Sequence, residues 1–248
     1  MMPKERNKKE KGLLSSFVLA IVLMIFPVVS GIIVTVNNMD VVQMFWVQGA
    51  FMLASIAVPL CILFITKLRL SQIGFSKVKK GGIKAALNFI PIIAAKMVYL
   101  FFGFKHSREI LIALLFFTVA IGLSEEIYFR GIILRELMRH FSIKQAVLLS
   151  SVLFAAVHAS QAFSGEGFVA IALAIANAFI FGVVASEIVI LTESLIPTII
   201  WHALYNFINW ITLVQGMQEV VLIIFESVTI ILYGIYLWRR LPKNRYVD

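Results

Sequence analysis

Residues 121–135 read Ile-Gly-Leu-Ser-Glu-Glu-Ile-Tyr-Phe-Arg-Gly-Ile-Ile-Leu-Arg, and the fold turns on this stretch. Two adjacent carboxylates, Glu125 and Glu126, and one cation, Arg130, interrupt an apolar run that begins near Ile110. Ionisable groups in such a run are costly in lipid and face a protein interior or a watery cavity. On a helix Glu126 and Arg130 share a face at i,i+4 and can pair. Glu125 is turned about 100° away from Glu126. One carboxylate can therefore be held by the arginine while its neighbour points elsewhere, an arrangement suited to chemistry.

The surrounding chain confirms the apolar setting. Of 248 residues 61% are hydrophobic and 14% charged, with a mean hydropathy of +0.97; soluble domains carry about 25% charged residues. The composition predicts an all-α, polytopic membrane helix bundle. Apolar stretches mark about eight transmembrane helices, at residues 13–36, 41–66, 84–104, 109–134, 143–161, 168–188, 194–214 and 218–238, each near the ~20 residues a bilayer needs. The first run is too long for the apolar part of a signal peptide and reads as a retained helix.

Charge sets the orientation. The basic residues fall in four segments: Lys4, Arg6, Lys8, Lys9 and Lys11; then Lys67, Arg69, Lys77, Lys79, Lys80 and Lys84; then Arg135, Arg139 and Lys144; and finally Arg239, Arg240, Lys243 and Arg245. With eight spans all four lie on one side and hold 18 of the 22 basic residues. Lys105 and Arg108 lie opposite, and Lys96 and Arg130 fall within spans. The positive-inside rule places both termini in the cytoplasm. The net charge of +9 thus reflects topology rather than nucleic-acid binding.

The chain divides into a basic cytoplasmic tail (1–12), three transmembrane helices (13–107), a core (108–213), and a last helix with a basic cytoplasmic tail (214–248). Residues 67–84 read either as an interfacial segment with Leu68, Leu70, Ile73 and Phe75 in lipid or as a solvated basic loop. The single Cys61 excludes a disulfide framework and reads as a small buried hydrophobe. Ala170, Ala174, Ala178, Gly182 and Ser186 form a small-residue stripe that permits close helix packing. Thr192, Glu193 and Ser194 are candidate caps for the following helix, with Pro197 in its first turn.

Five further polar positions lie inside apolar spans: His158 in Phe154-Ala-Ala-Val-His158, His202 and Asn206 in His202-Ala-Leu-Tyr-Asn206, Asn177, and Lys96. Asn177 reads as interhelical glue and Lys96 as a snorkelling or locally paired lysine. Depth relates the others. Glu125 is ten residues from Arg135, His158 fourteen from Lys144 and His202 nine from Glu193, so at ~1.5 Å per residue all three lie near mid-membrane. No serine–histidine–aspartate set at matching depth and no cysteine beside a histidine suggests a covalent nucleophile. A carboxylate with an imidazole can activate water as general base, and a second imidazole with a carboxamide can hold an oxyanion. These parts fit peptide hydrolysis in the membrane. The same Glu125, His158 and His202 offer donors that zinc accepts, although no His-Glu-x-x-His helix is present.

Glu125-Glu126-Ile-Tyr-Phe-Arg130, Phe154-Ala-Ala-Val-His158 and His202-Ala-Leu-Tyr-Asn206 resemble three ordered motifs, EExxxR, FxxxH and HxxxN. They are those of the CPBP family, the CAAX protease and bacteriocin-processing intramembrane proteases, also called the Abi or type II CAAX endopeptidase family. The resemblance covers about residues 108–213 and implies an intramembrane endopeptidase. In that family Glu125 would activate water assisted by His158, His202 and Asn206 would hold the oxyanion, and Glu126, Arg130 and Phe154 would support the site. It leaves metal dependence open: no cofactor is required by the sequence, and zinc is allowed. Compact size and lysine-rich termini point to a multi-pass protein of a bacterial plasma membrane. Its partners would be the bilayer and a membrane-delivered peptide or protein, as in bacteriocin or pheromone processing, rather than a prenylated substrate. The competing readings are a non-catalytic bacteriocin-immunity or scaffold protein, and a small transporter, since buried Glu/His/Arg sets also serve proton relays.

Overall fold

The computed structural model describes residues 3–79, 90–104, 106–160 and 167–242. The first part of the third span, the end of the fifth, Lys80, Lys84, Lys105, Lys243 and Arg245 lie outside the described residues, as do the side chains of Lys4 and Ala170. Among the described residues the chain is helical, with no strand beyond an isolated bridge between Phe104 and Thr212. The helices are α1 (Pro3–Val36), α2 (Val41–Ser55), α3 (Ala57–Thr66), α4 (Ile90–Met97), α5 (Arg108–Glu126), α6 (Leu134–His140), α7 (Ile143–His158), α8 (Phe168–Thr192), α9 (Ile196–Ile211) and α10 (Met217–Trp238). Phe64, Phe101 and Leu232 are among many large apolar side chains exposed on the surface. This protein is a helical bundle built for lipid.

Five stretches are long and apolar enough to cross a membrane: Arg6–Val36, Val41–Thr66, Arg108–His140, Ile171–Thr192 and Met217–Trp238. The others fall short of the length expected from sequence. Ile90–Phe102 and Ile143–His158 are shorter apolar helices, and α9 has 16 residues, about 24 Å against a core of ~30 Å. Irregular backbone at membrane depth survives only where protein or a cavity surrounds it. Both α7 and α9 meet that condition through buried packing residues, among them Phe154 and Trp201.

Local chemistry sets the breaks. Asp40 caps α2 by accepting from the Val42 and Gln43 amides at 2.9 Å each, and the Gln43 side chain returns to the Asp40 amide, a capping box. The helix is interrupted between Ser55 and Ala57 just ahead of Pro59, whose ring lacks the amide an unbroken helix needs. Thr192 ends α8, Glu193 takes a left-handed conformation at φ 54°, and the Ser194 hydroxyl accepts from the Ile196 amide at the start of α9. Asn177 accepts a hydrogen bond from Ser227 across α8 and α10 at 3.0 Å, the interhelical link expected of it.

The basic segments gather at one end of the bundle. A Cβ on Gly12 would lie 2.4 Å from the His140 ring, Lys9 lies over Phe141 and Lys144 over Trp238. At the opposite end His106 reaches the Trp210 carbonyl. Residues 67–79 are not a free loop. They form one 3₁₀ turn (Leu70–Ile73) and then an extended segment hydrogen-bonded to the turn between α8 and α9. Leu195 donates to the Gly74 carbonyl at 2.8 Å, Ser76 to the Glu193 carbonyl at 2.6 Å, and Ser194 to the Ser76 carbonyl at 2.7 Å. Ile73, expected in lipid, is buried against Leu63 and Ile127. Gly74 sits at φ 102° where a Cβ would lie 2.9 Å from Leu195, so only glycine fits both the conformation and the space. Cys61 is exposed on α3, not buried as its apolar neighbours suggested.

Candidate active site

The helix that carries Glu125 and Glu126 changes its ladder just beyond them. From Ile127 to Ile133 the backbone adopts π-helical geometry between α5 and α6. The widened ladder runs from the Leu134 amide to the Phe129 carbonyl, and the Ser150 hydroxyl on α7 also donates to that carbonyl at 3.3 Å. Such bulges are rare and collect at functional sites. Here the bulge lies immediately after the paired glutamates and contains Arg130. Ser55 and Ser124 brace the segment at 2.5 Å, and Tyr128 donates to the Ser55 carbonyl at 3.0 Å. Since the Ser55 hydroxyl proton is used on the Met52 carbonyl, Ser124 is the donor in that pair.

Arg130 donates to Glu126 at 3.0 Å, and neither side chain has any exposed surface. A second Glu126 contact comes from α9: His202 Nδ1 lies 3.0 Å from the same oxygen, Oε1. A carboxylate only accepts, so Nδ1 donates and the imidazole is pinned. His202 Nε2 then faces Glu125 Oε2 at 3.7 Å, too long for a direct hydrogen bond. That Oε2 atom is buried and has no hydrogen-bond partner among the described residues. Glu125 itself retains 16% side-chain exposure, whereas Glu126 has none. The two glutamates are therefore unequal. Each leaves its Oε2 without a hydrogen-bond partner among the described residues, but Glu126 is wholly buried with Oε1 held by Arg130 and His202, whereas Glu125 keeps partial exposure and turns its Oε2 toward His202 Nε2.

Aromatic rings close the site. Phe154 is 4.9 Å from Phe129, 5.9 Å from Phe181 and 4.8 Å from His158, centroid to centroid, and lies edge-on to His202 at 6.0 Å. The Arg130 guanidinium lies 4.3 Å from the Phe154 centroid, which supplies a cation–π contact in place of water. Phe154 thus connects both histidines and the arginine. His158 is half-buried at the end of α7, where Nδ1 donates to the Phe154 carbonyl at 2.9 Å. In the neutral ring that leaves Nε2 as an acceptor. Asn206 is half-buried one turn beyond His202 on the same helix.

Sequence inspection missed Phe181. It lies 4.7 Å from His202, 4.2 Å from Trp201 and 5.9 Å from Tyr205, and nothing distinguishes it in sequence from the other phenylalanines of an apolar helix. Lys96 does not snorkel. It is buried in a polar cluster, donating to Glu226 at 3.0 Å and to Asn209, and it lies 4.0 and 3.9 Å from the rings of Tyr99 and Tyr205.

Gly122 explains why α5 and α9 come close enough. A Cβ there would lie 3.0 Å from the Ala203 amide nitrogen and 3.1 Å from the Ile199 carbonyl oxygen. Backbone cannot yield as a flexible side chain can. Gly122→Leu is expected to lower stability by about 1–3 kcal/mol and to reduce activity by spreading His202 from Glu125. Thermal unfolding in detergent, run beside the activity assay, checks this.

Zinc would draw on Glu125, His158 and His202, but among the described residues no group of three or more His, Cys, Asp or Glu side chains is arranged to hold a metal ion.

A multi-pass helical membrane protein with a buried glutamate–histidine centre at a π-helical bulge is the class that fold and site define. Residues 107–208 match the family described as "Type II CAAX prenyl endopeptidase Rce1-like". This segment, which carries all three motifs, matches the CPBP/CAAX protease family. The match supports an intramembrane endopeptidase in general terms. No curated protein matches the chain.

Proposed function

We propose that this protein hydrolyses a peptide bond of a membrane-associated peptide or protein by a glutamate-activated water, with Glu125, His158, His202 and Asn206 as the catalytic residues. The observation that carries the reading is the buried, unengaged Glu125 Oε2 facing His202 Nε2 at 3.7 Å. That arrangement leaves Glu125 Oε2 open to a water, with His202 Nε2 beside it for the oxyanion. Glu125 takes a proton from the water as its oxygen attacks the scissile carbonyl, with His158 Nε2 accepting a hydrogen bond that orients the same water. The carbonyl π electrons move to oxygen, and the resulting oxyanion accepts from Asn206 Nδ2 and, when the ring is protonated, from His202 Nε2. Glu125 then returns its proton to the leaving amine as the C–N bond breaks, so atoms and charge balance. Glu126 and Arg130 hold His202 in register, and Phe154 keeps water away from the guanidinium.

The reading places the protein in a bacterial plasma membrane, acting on a peptide delivered there, as in bacteriocin or pheromone processing. The test uses purified protein in detergent against a membrane-peptide library, wild type beside Glu125→Ala, with chelator and added zinc in parallel. Cleavage that needs Glu125 and survives chelation supports the glutamate mechanism. Loss on chelation with rescue by zinc overturns it in favour of Glu125, His158 and His202 as ligands. Wild-type function that persists in both Glu125→Ala and His158→Ala sinks catalysis and leaves an immunity or scaffold role.

A further inference from the structure

A cavity of about 1400 Å³ opens at the basic end of the bundle, larger than the ~300–1,000 Å³ of sites for drug-sized ligands. Its walls are α1, the end of α3, the 3₁₀ turn, the bulge with α6, and the end of α8. Glu125, His158, His202 and Asn206 do not line it; the candidate active site and the cavity share only Arg130.

Its lining is graded. Lys11, Arg135 and Arg139 bring three cations to the end where the basic segments meet. Of the two acids in the lining, Glu193 is held by Lys79 at 2.6 Å, and Glu136 by His140 at 3.2 Å and by Arg139 itself at 3.1 Å, which leaves a ligand the remaining N–H donors of that guanidinium. Along α1 the wall then passes from Lys11 and Ser15 to Val18 and Leu19, about 12 Å further into the bilayer. Leu68 and Met138 extend the apolar wall. On the inner side lies Arg130, fully buried, whose Nε and Nη2 have no hydrogen-bond partner among the described residues. A soluble anion has no use for the apolar walls, and a zwitterionic lipid has no use for the excess of cations. A molecule with an anionic head and a long apolar tail satisfies both.

We propose that this cavity binds one anionic phospholipid from the adjoining leaflet, with the headgroup phosphate at Lys11, Arg135 and Arg139 and an acyl chain along α1 toward Leu19. Because Arg130 and Gly131 of the bulge form part of the wall, the lipid would brace the helix that carries the paired glutamates. The site stands apart from the catalytic reading, since binding can be measured without any substrate.

The experiment is lipid titration of purified protein in detergent, read by native mass spectrometry, with phosphatidylglycerol, phosphatidylcholine and inorganic phosphate as separate probes. Wild type is expected to hold one phosphatidylglycerol in preference to phosphatidylcholine. Each basic group near an anionic surface contributes about fivefold, so Lys11→Gln with Arg139→Gln should weaken phosphatidylglycerol binding about thirtyfold. Both side chains are at the surface, so the fold should tolerate the change. Lys8→Gln with Arg239→Gln removes the same charge from the same end but outside the cavity, and should leave binding unchanged. Ser15→Trp fills the cavity without altering charge and should also abolish the bound lipid. Equal affinity for phosphatidylcholine, an equal loss in the control pair, or displacement by inorganic phosphate at matching concentration would each overturn the proposal.

Discussion

Glu125→Gln is expected to lower peptide hydrolysis by about 10²- to 10⁴-fold, the usual contribution of a positioned general base, without reducing the amount of protein in the membrane. The amide keeps the shape of the carboxyl group but cannot take a proton from water. Glu125 Oε2 is not hydrogen-bonded among the described residues, and the side chain keeps partial exposure, so the fold loses little when its charge is removed. Rates from single-turnover cleavage, with immunoblots of the membrane fraction, separate the two effects. An active Glu125→Gln protein would contradict the proposed role. A protein that disappears from the membrane would move Glu125 from chemistry to structure.

Arg130→Ala should fail for a different reason. Arg130 is the cation paired with Glu126 at 3.0 Å, with neither partner exposed. Removing one member of a buried pair leaves a charge without compensation and costs about 3–5 kcal/mol, a large share of the stability of most domains. The cavity left beneath Phe154 adds to the loss. The expected result is a steep fall in the thermal midpoint and in membrane level. Glu126→Gln combined with Arg130→Met removes both charges, while the introduced carboxamide keeps a carbonyl that can accept from His202 Nδ1. This double variant should recover stability. If it stays as unstable as Arg130→Ala, the ion pair is not what the helix depends on. Its residual activity reports how far the Arg130–Glu126–His202 chain matters to catalysis.

The two forecasts separate the glutamates that adjacency in sequence leaves alike. Helical spacing shows only that Glu126 and Arg130 can pair. It does not show that His202 reaches the same carboxylate oxygen from another helix, or that this contact turns its other nitrogen toward Glu125. Sequence depth brought His202 and Glu125 to a similar level but gave no account of what brings α5 and α9 together. Gly122 provides that account through close backbone approach, a property visible only when the facing helix is in place.

Much was nonetheless determined by the sequence alone. An all-helical membrane bundle follows from hydropathy, because backbone groups in lipid must be satisfied within each segment. The gathering of the basic segments at one end follows from their alternation between spans. The three motifs mark the candidate site because polar groups at mid-membrane carry an energetic cost that apolar neighbours do not share. What the tertiary structure alone decided are features produced by contact between distant segments. Residues 67–79 dock on the turn before α9 through backbone hydrogen bonds and the hydroxyls of Ser76 and Ser194, partners more than a hundred residues apart in the chain. Phe181 joins the site through ring packing, which sequence cannot distinguish from ordinary core. The basic-mouthed cavity exists because α1, α3, α6 and α8 fail to close upon one another. Local periodicity sets where each helix forms and which residues it cannot leave in lipid; the fit of one helix surface against the next, summed over many weak contacts, sets which of those residues meet.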